Sequence, residues 1–145
     1  MSDPTTGEIL EILNTKADQD LKNVDKFYYF YKYAQFTLAS GASTSQSISY
    51  TPITGKPVFI NISGDNNPTT SSGWCQLNIY KDNVLLTRQI SASVSASCNI
   101  PFNVFWLDTN PTQCVYKVEI YQGGGTSIYG EDGSYHAPQI VIFEI

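Results

Sequence analysis

The spacing of hydrophobic positions changes near Asp25. Before it, Ile9, Leu10, Ile12 and Leu13 recur at helical spacing, and Leu10, Leu13, Ala17 and Val24 fall on successive a, d, a and a positions of a heptad. The d position between the last two is the polar Asp20. Thr5 and Glu8 have capping-box spacing, and Asp3-Pro4 offers an alternative start with proline at the first helical position. A helix this short is marginal in water on its own. Residues 1–25 are therefore expected to be an N-terminal anchor or oligomerisation stem, with Ile9, Leu10, Ile12, Leu13 and Ala17 covered by sister chains or a docking surface. The competing reading is an amphipathic helix packed on its own head.

After Asp25 the period becomes two. Phe27, Tyr29, Tyr31 and Tyr33 alternate with Tyr28, Phe30, Lys32 and Ala34 in a segment that continues to Leu38, predicting a strand with an apolar load on both faces. Ala39 to Gln46 reads as a loop or edge. Further strands are predicted at Ser47 to Tyr50, Pro57 to Ser63, Cys75 to Lys81, Val84 to Ile90, Asn99 to Leu107, Cys114 to Tyr121 and Gln139 to Ile145. Their spacing implies an antiparallel β-sandwich head over residues 26–145. Lys81-Asp82-Asn83 predicts a tight hairpin that pairs Leu77 to Tyr80 with Leu85 to Arg88, because Asp and Asn tolerate left-handed backbone.

Length and charge narrow the functional classes. A chain of 145 residues suits one compact domain. Only 14% of residues are charged and the net charge is −5, which argues against a basic face for nucleic acid. There is no run of eighteen apolar residues and no signal-like N-terminus, so a protein made in the cytoplasm without membrane insertion is expected. Cys75, Cys98 and Cys114 are odd in number and widely spaced, with His136 the single histidine, so reduced core thiols are expected and no metal site.

No segment carries a catalytic signature. His136 lies in a loop-like stretch, Gly130 to Pro138, without a nucleophile elbow elsewhere, and reads as a surface residue. Asp65-Asn66-Asn67 and Glu131-Asp132-Gly133 miss the calcium-loop pattern and read as turns. Asn61-Ile62-Ser63 is a chance glycosylation sequon in a strand, and Gly123-Gly124-Gly125 a flexible connection without the spacing of a phosphate loop. Thr69 to Trp74 and Ser127 to Ala137 are rich in Tyr, Ser, Gly and Asn, the composition of adaptable binding loops. Trp74, Tyr129, Tyr135 and His136 are their candidate receptor-contact residues.

A resemblance adds to this. Lys16 to Val24, KADQDLKNV, resembles the linker of bacteriophage tail-fibre and head-fibre proteins. The order of Pro57 to Asp65, Ile79 to Leu86, Leu107 to Pro111, Cys114 to Val118 and Phe143 to Ile145 resembles fibre heads with a tumour-necrosis-factor-like jelly roll. It implies an all-β, antiparallel jelly-roll-like sandwich on a short N-terminal α-helical stalk, assembled as a homotrimer. The implied role is a non-enzymatic virion protein, a head fibre or capsid decoration knob seated on the major capsid or another virion protein through its N-terminus, with no cofactor. Host-surface glycan is the implied partner in adsorption. The alternatives are a lectin-like carbohydrate-binding module, using Trp74 and Trp106, and a tail-fibre receptor-binding tip. A glycan depolymerase would need carboxylates near Glu131 and Asp132 to converge across a groove.

Overall fold

The computed structural model describes residues 5–11, 26–70, 73–92, 96, 98–130 and 136–145. The head is built from β1 (Tyr28–Lys32), β2 (Phe36–Leu38), β3 (Ser43–Tyr50), β4 (Val58–Pro68), β5 (Trp74–Lys81), β6 (Val84–Ala92), β7 (Ile100–Asp108), β8 (Cys114–Gly124), β9 (Ser127–Tyr129) and β10 (Gln139–Glu144). All pairings among these strands are antiparallel.

The strands form two sheets. In the first, β10 pairs with β4 at Val58 to Ser63 and β9 with β4 at Asn66 to Pro68, while β1 and β2 lie outside β10 and β9. Asn66 pairs with both Tyr129 of β9 and Ile100 of β7, so β7 occupies the opposite edge of β4. The sheet is thus four positions wide: β1/β2, β10/β9, β4, β7. The second runs β3-β8-β5-β6. The chain crosses between sheets at six of its nine steps, staying within one sheet only at β1 to β2, β5 to β6 and β9 to β10, and returns at the end to lie beside its first strand. This is jelly-roll connectivity, two four-position antiparallel sheets in a sandwich.

Alternation drives the packing. In β4 every second residue is buried, with Val58, Ile60 and Ile62 facing inward, and β8 repeats the pattern with Tyr116, Val118 and Ile120. Together with Leu77 and Ile79 of β5 and Ile140 and Ile142 of β10 they form one core, the apolar seam between the sheets. Each such aliphatic side chain contributes about 1.5–3 kcal/mol by leaving water.

Two polar layers close the core. At one end Glu144 and Asp108 flank Val58 on the inward side of the first sheet. Tyr50 of β3 donates its hydroxyl to Glu144 at 2.7 Å, and Tyr116 of β8 donates to Asp108 at 2.6 Å. The two tyrosine rings touch with centroids 5.5 Å apart. At the other end the buried Tyr129 hydroxyl donates to Gln122 Oε1 at 2.6 Å, and Asn66 Nδ2 to Cys75 Sγ at 3.3 Å.

Several local expectations hold. Thr5 and Glu8 form the capping box, with Thr5 N donating to Glu8 Oε2 at 2.6 Å and Glu8 N to Thr5 Oγ1 at 3.3 Å, ahead of a helical turn at residues 6–11. The backbone bond from Thr5 and then its hydroxyl hold the Glu8 carboxyl below its ordinary pKa. The Lys81 to Asn83 hairpin forms with φ of 47° at Asp82 and 65° at Asn83. Its register pairs Asn78 with Arg88 and Ile79 with Thr87, then shifts by a bulge so that Tyr80 meets Leu85.

Others are corrected. The aromatic segment after Asp25 is not one strand: residues 33–35 break it, and the buried Tyr33 ring packs against Tyr31 and Phe36. Of the two readings of Ala39 to Gln46, loop or edge, the second half takes the edge: it joins β3, an edge strand whose partner β8 supplies the ladder that weak local propensity lacks. Asp65-Asn66-Asn67 is strand and not turn, since β7 and β9 clamp β4 from both edges. Gly123 and Gly124 belong to β8, and only Gly125, at φ 65°, turns the chain into the unforeseen β9. Cys75 and Cys114 are buried free thiols, whereas Cys98 is exposed.

Candidate assembly and recognition surfaces

The outward faces of the two sheets differ in chemistry. On the first sheet, antiparallel register aligns Tyr28, Phe143, Phe59 and Leu107 in one outward row. The next row is Phe30, Val141, Asn61 and Phe105, and the third is Lys32, Gln139, Ser63 and Asn103. Two full rows carry no charge. Tyr28 is 66% exposed, Phe105 61%, Phe30 49% and Leu107 42%. Phe59 links them, its ring 5.4 Å from Phe143 and 5.8 Å from Phe105. Asn61, the polar member, is satisfied within the sheet, with Nδ2 donating to Asn103 Oδ1 and to the Val104 carbonyl at 3.0 Å. Lys26, Phe27, Tyr28, Phe143, Glu144 and Ile145 line an open apolar recess of about 490 Å³ at the end of this face. A contiguous apolar patch of this kind marks an interaction surface.

The outward face of the second sheet is mixed: Leu85, Ile90 and Val115 are exposed on it, around a polar centre that is internally bonded. Arg88 Nε donates to Asn78 Oδ1 at 2.8 Å, Asn78 Nδ2 to Glu119 Oε1 at 2.9 Å and Tyr80 OH to Glu119 Oε1 at 3.0 Å. The Lys117 ammonium sits 4.3 Å above the Tyr80 ring. Burial, and then the bond to Glu119, push the Tyr80 phenol above its ordinary value. Along β3 the outward positions are Ser43, Ser45, Ser47 and Ser49, an uncharged and exposed edge.

The residues singled out from the sequence scatter across this framework. Ile9 and Leu10 lie on the helical turn at residues 6–11, 45% and 58% exposed, so this part of the stem is not packed on the head. Ile12, Leu13, Ala17 and Tyr135 lie outside the described residues, as do Glu131 and Asp132. Trp74 is not in a loop but begins β5, half-buried on the second sheet's outer face. Tyr129 is a correction: it is fully buried in β9, stacked on Phe36 at 4.9 Å and bonded to Gln122, so it cannot contact a receptor. Its burial pushes the phenol far above its ordinary pKa. Trp106 occupies the inward row of the edge strand β7, opposite Ile60, and keeps 36% exposure. His136 is exposed, its backbone N–H donating to Asp65 Oδ2 at 3.2 Å while Nδ1 stands 3.9 Å from the same oxygen.

Sequence reasoning missed the outward rows of the first sheet as a surface. Their members are drawn from four distant segments, and only the sheet register collects them. The signal available was the two-faced aromatic segment at Tyr28 to Tyr31. Among the described residues, no three His, Cys, Asp or Glu side chains cluster as metal ligands, and no helix is long and apolar enough to cross a membrane.

No family model and no curated protein matches this chain. Among solved structures it is similar to that of the infectious bursal disease virus Gx strain, at 15% identity and a TM-score of 0.39, over 83% of this chain and 36% of that one. The chain thus spans about a third of that protein's length. The fold described above rests on this chain's own strand pairing.

Proposed function

We propose that this chain is a virion structural protein, a homotrimeric head fibre or capsid decoration knob whose heads associate through the outward face of the β1-β10-β4-β7 sheet. The observation that carries the reading is the pair of uncharged rows from Tyr28 to Leu107 and from Phe30 to Phe105. A sister head is a suitable cover: around a threefold axis this face on each head packs against a different part of its neighbour, no charge on it has to be desolvated, and ring closure leaves no copy of the patch exposed. The virion role is supported by the resemblance of Lys16 to Val24 and of the head strands to phage fibre proteins, and jelly-roll sandwiches recur in capsid proteins. Three subunits, N-terminal attachment through residues 1–25, the absence of catalysis and a part in host adsorption belong to the same proposal.

Solution mass by light scattering tests it on the full chain. Three times the chain mass is expected, falling to one in Phe105→Asp, which would bury an unpaired carboxylate at the contact. Leu10→Asp with Leu13→Asp separates the stem from the head, and a trimer that persists there assigns the contact to the sheet face. A parent chain that is monomeric at all concentrations sinks the assembly reading.

A further inference from the structure

The outer face of the β3-β8-β5-β6 sheet contains one feature that the assembly reading does not use. Opposite Trp74 and Cys75, β8 carries an extra residue: Cys75 pairs with Gln122 and Trp74 with Gly124, leaving Gly123 between them in a bulge. The Trp74 indole occupies the space that a side chain at 123 would fill. A methyl group built on Gly123 would stand 2.0 Å from Cη2 and 2.2 Å from both Cζ2 and Cζ3. Near-equal distances to three adjacent ring atoms mean that the backbone of Gly123 lies under the face of the ring, not at its edge. The indole is therefore laid flat on the sheet, with its other face directed away from it.

Its surroundings are uncharged and rich in hydrogen-bonding groups. Tyr121 approaches at 6.2 Å with its ring inclined by 62°, making a corner with the indole. Register aligns Ser43, Tyr121, Gln76 and the exposed Ile90 in the adjoining outward row, whose first three members supply hydroxyl, phenol and amide groups. The nearest charges on this face, Arg88 and Glu119, are one row further and engaged with Asn78.

We infer that Trp74 is the stacking platform of a carbohydrate subsite that takes a neutral pyranose. A flat indole offers a large apolar surface, and the polar groups beside it fix orientation, which is the division of labour of small-ligand sites. A pyranose matches it, having one C–H face and a rim of hydroxyls. A phosphorylated ligand does not, because among the described residues the nearest cation on this face, Arg88, is engaged with Asn78, and the chain carries a net charge of −5. The inference stands on the opposite sheet from the proposed assembly surface and does not depend on it.

Of the two tryptophans in the chain, Trp106→Phe leaves Trp74 as the sole one, read by exciting the indole at a wavelength that the tyrosines do not absorb. Titration of that full-length variant with the methyl glycosides of glucose, galactose, mannose and N-acetylglucosamine, in the millimolar range, is expected to give a saturable emission change with at least one of them. Amide resonances of Trp74, Gln76, Tyr121 and Gly123 should shift together with it. Gln76→Ala leaves the indole in place and should weaken binding about tenfold. Trp74→Ala should abolish the resonance shifts, and Trp74→Phe stands in for it if the alanine variant fails to fold. Silence with all four glycosides overturns the inference, and so does saturation by adenosine alone or a response that Gln76→Ala and Trp74→Phe leave unchanged. Light scattering on the same samples reports the assembly reading separately.

Discussion

Replacing Glu144 with Gln changes one oxygen for an amide in a carboxylate that is 1% exposed. Five donors converge on it: the Tyr50 hydroxyl at 2.7 Å, Ile53 N–H at 2.8 Å, the Thr54 hydroxyl at 2.9 Å, Thr54 N–H at 3.0 Å and Phe27 N–H at 3.3 Å. The side chain thereby fastens the 51–56 loop, the entry to β1 and the end of β3 to one point. Burial alone would raise its pKa, but the bonds from Ile53, Tyr50 and Thr54 outweigh it and lower the value from 4.5 to about 2. At about 1.4 kcal/mol per pKa unit this depression corresponds to ~3 kcal/mol of stability. Because the folded value lies below the unfolded one, that stability is fully present above about pH 5 and is lost as pH falls from there through about 2. Glutamine turns an amide N–H toward donors, so Glu144→Gln is expected to cost about 2–3 kcal/mol at pH 7. Urea unfolding of both proteins, at one fixed protein concentration and at pH 7, 5 and 3, measures it. The difference between them should shrink at pH 3, where the parent has lost most of its advantage. A difference below about 0.5 kcal/mol at pH 7, within the range of ordinary surface substitutions, would refute the assigned role, as would one that does not change with pH.

Further outcomes follow from other contacts. Lys81 Nζ lies 2.6 Å from Asp108 Oδ2 in a pair that is mostly buried; burial raises the Asp108 pKa, but the bonds from Lys81, Tyr116 and Asn110 outweigh it and hold the carboxyl below its ordinary value. Lys81→Ala should cost about 2 kcal/mol at neutral pH, between exposed and buried pairs, and the loss should diminish below about pH 4 as the parent's own carboxylate protonates, read by the same urea series. Gly123→Ala should evict the Trp74 indole, red-shifting its emission in the Trp106→Phe background and destabilising the head by about 1–3 kcal/mol. Ellman's reagent should react promptly with one thiol, the exposed Cys98, and with Cys75 and Cys114 only on unfolding, since burial covers them and pushes both thiols above their ordinary pKa.

What was legible in the sequence follows from how local each cause is. Pro57 to Ser63 and Cys114 to Tyr121 were readable as β4 and β8 because each keeps an apolar residue at every second place of an inward row, Val58, Ile60 and Ile62 in one and Tyr116, Val118 and Ile120 in the other, although Phe59 and Val115 break strict alternation. The Asp82-Asn83 turn was readable because left-handed backbone is a property of those two residues. By contrast Asp65-Asn66-Asn67 has turn composition and became strand because neighbours on both edges supplied hydrogen bonds. Tyr129 sat in loop-like sequence, yet pairing with Phe36 and Asn66 drew it into the core. The candidate surfaces were less legible still: Trp74 was noticed for its chemistry, but its flat presentation depends on a bulge at Gly123, almost fifty residues away in the chain. The aromatic face of the first sheet exists only once Tyr28, Phe143, Phe59 and Leu107 stand in register.

The position of β10 sets a constraint on synthesis. It lies between β1 and β4, so residues 28–32 have no ladder partner until residues 139–144 have emerged from the ribosome. During translation of everything between, the aromatic rows at Tyr28 and Phe30 and the unpaired edge of β4 stand open, and closure requires the most distant pairing in the head. Long-range closure of this kind is slow, and nascent chains on neighbouring ribosomes would meet at the same sticky edges. Yield of folded protein should therefore depend on expression rate and temperature more than on the final stability of the head.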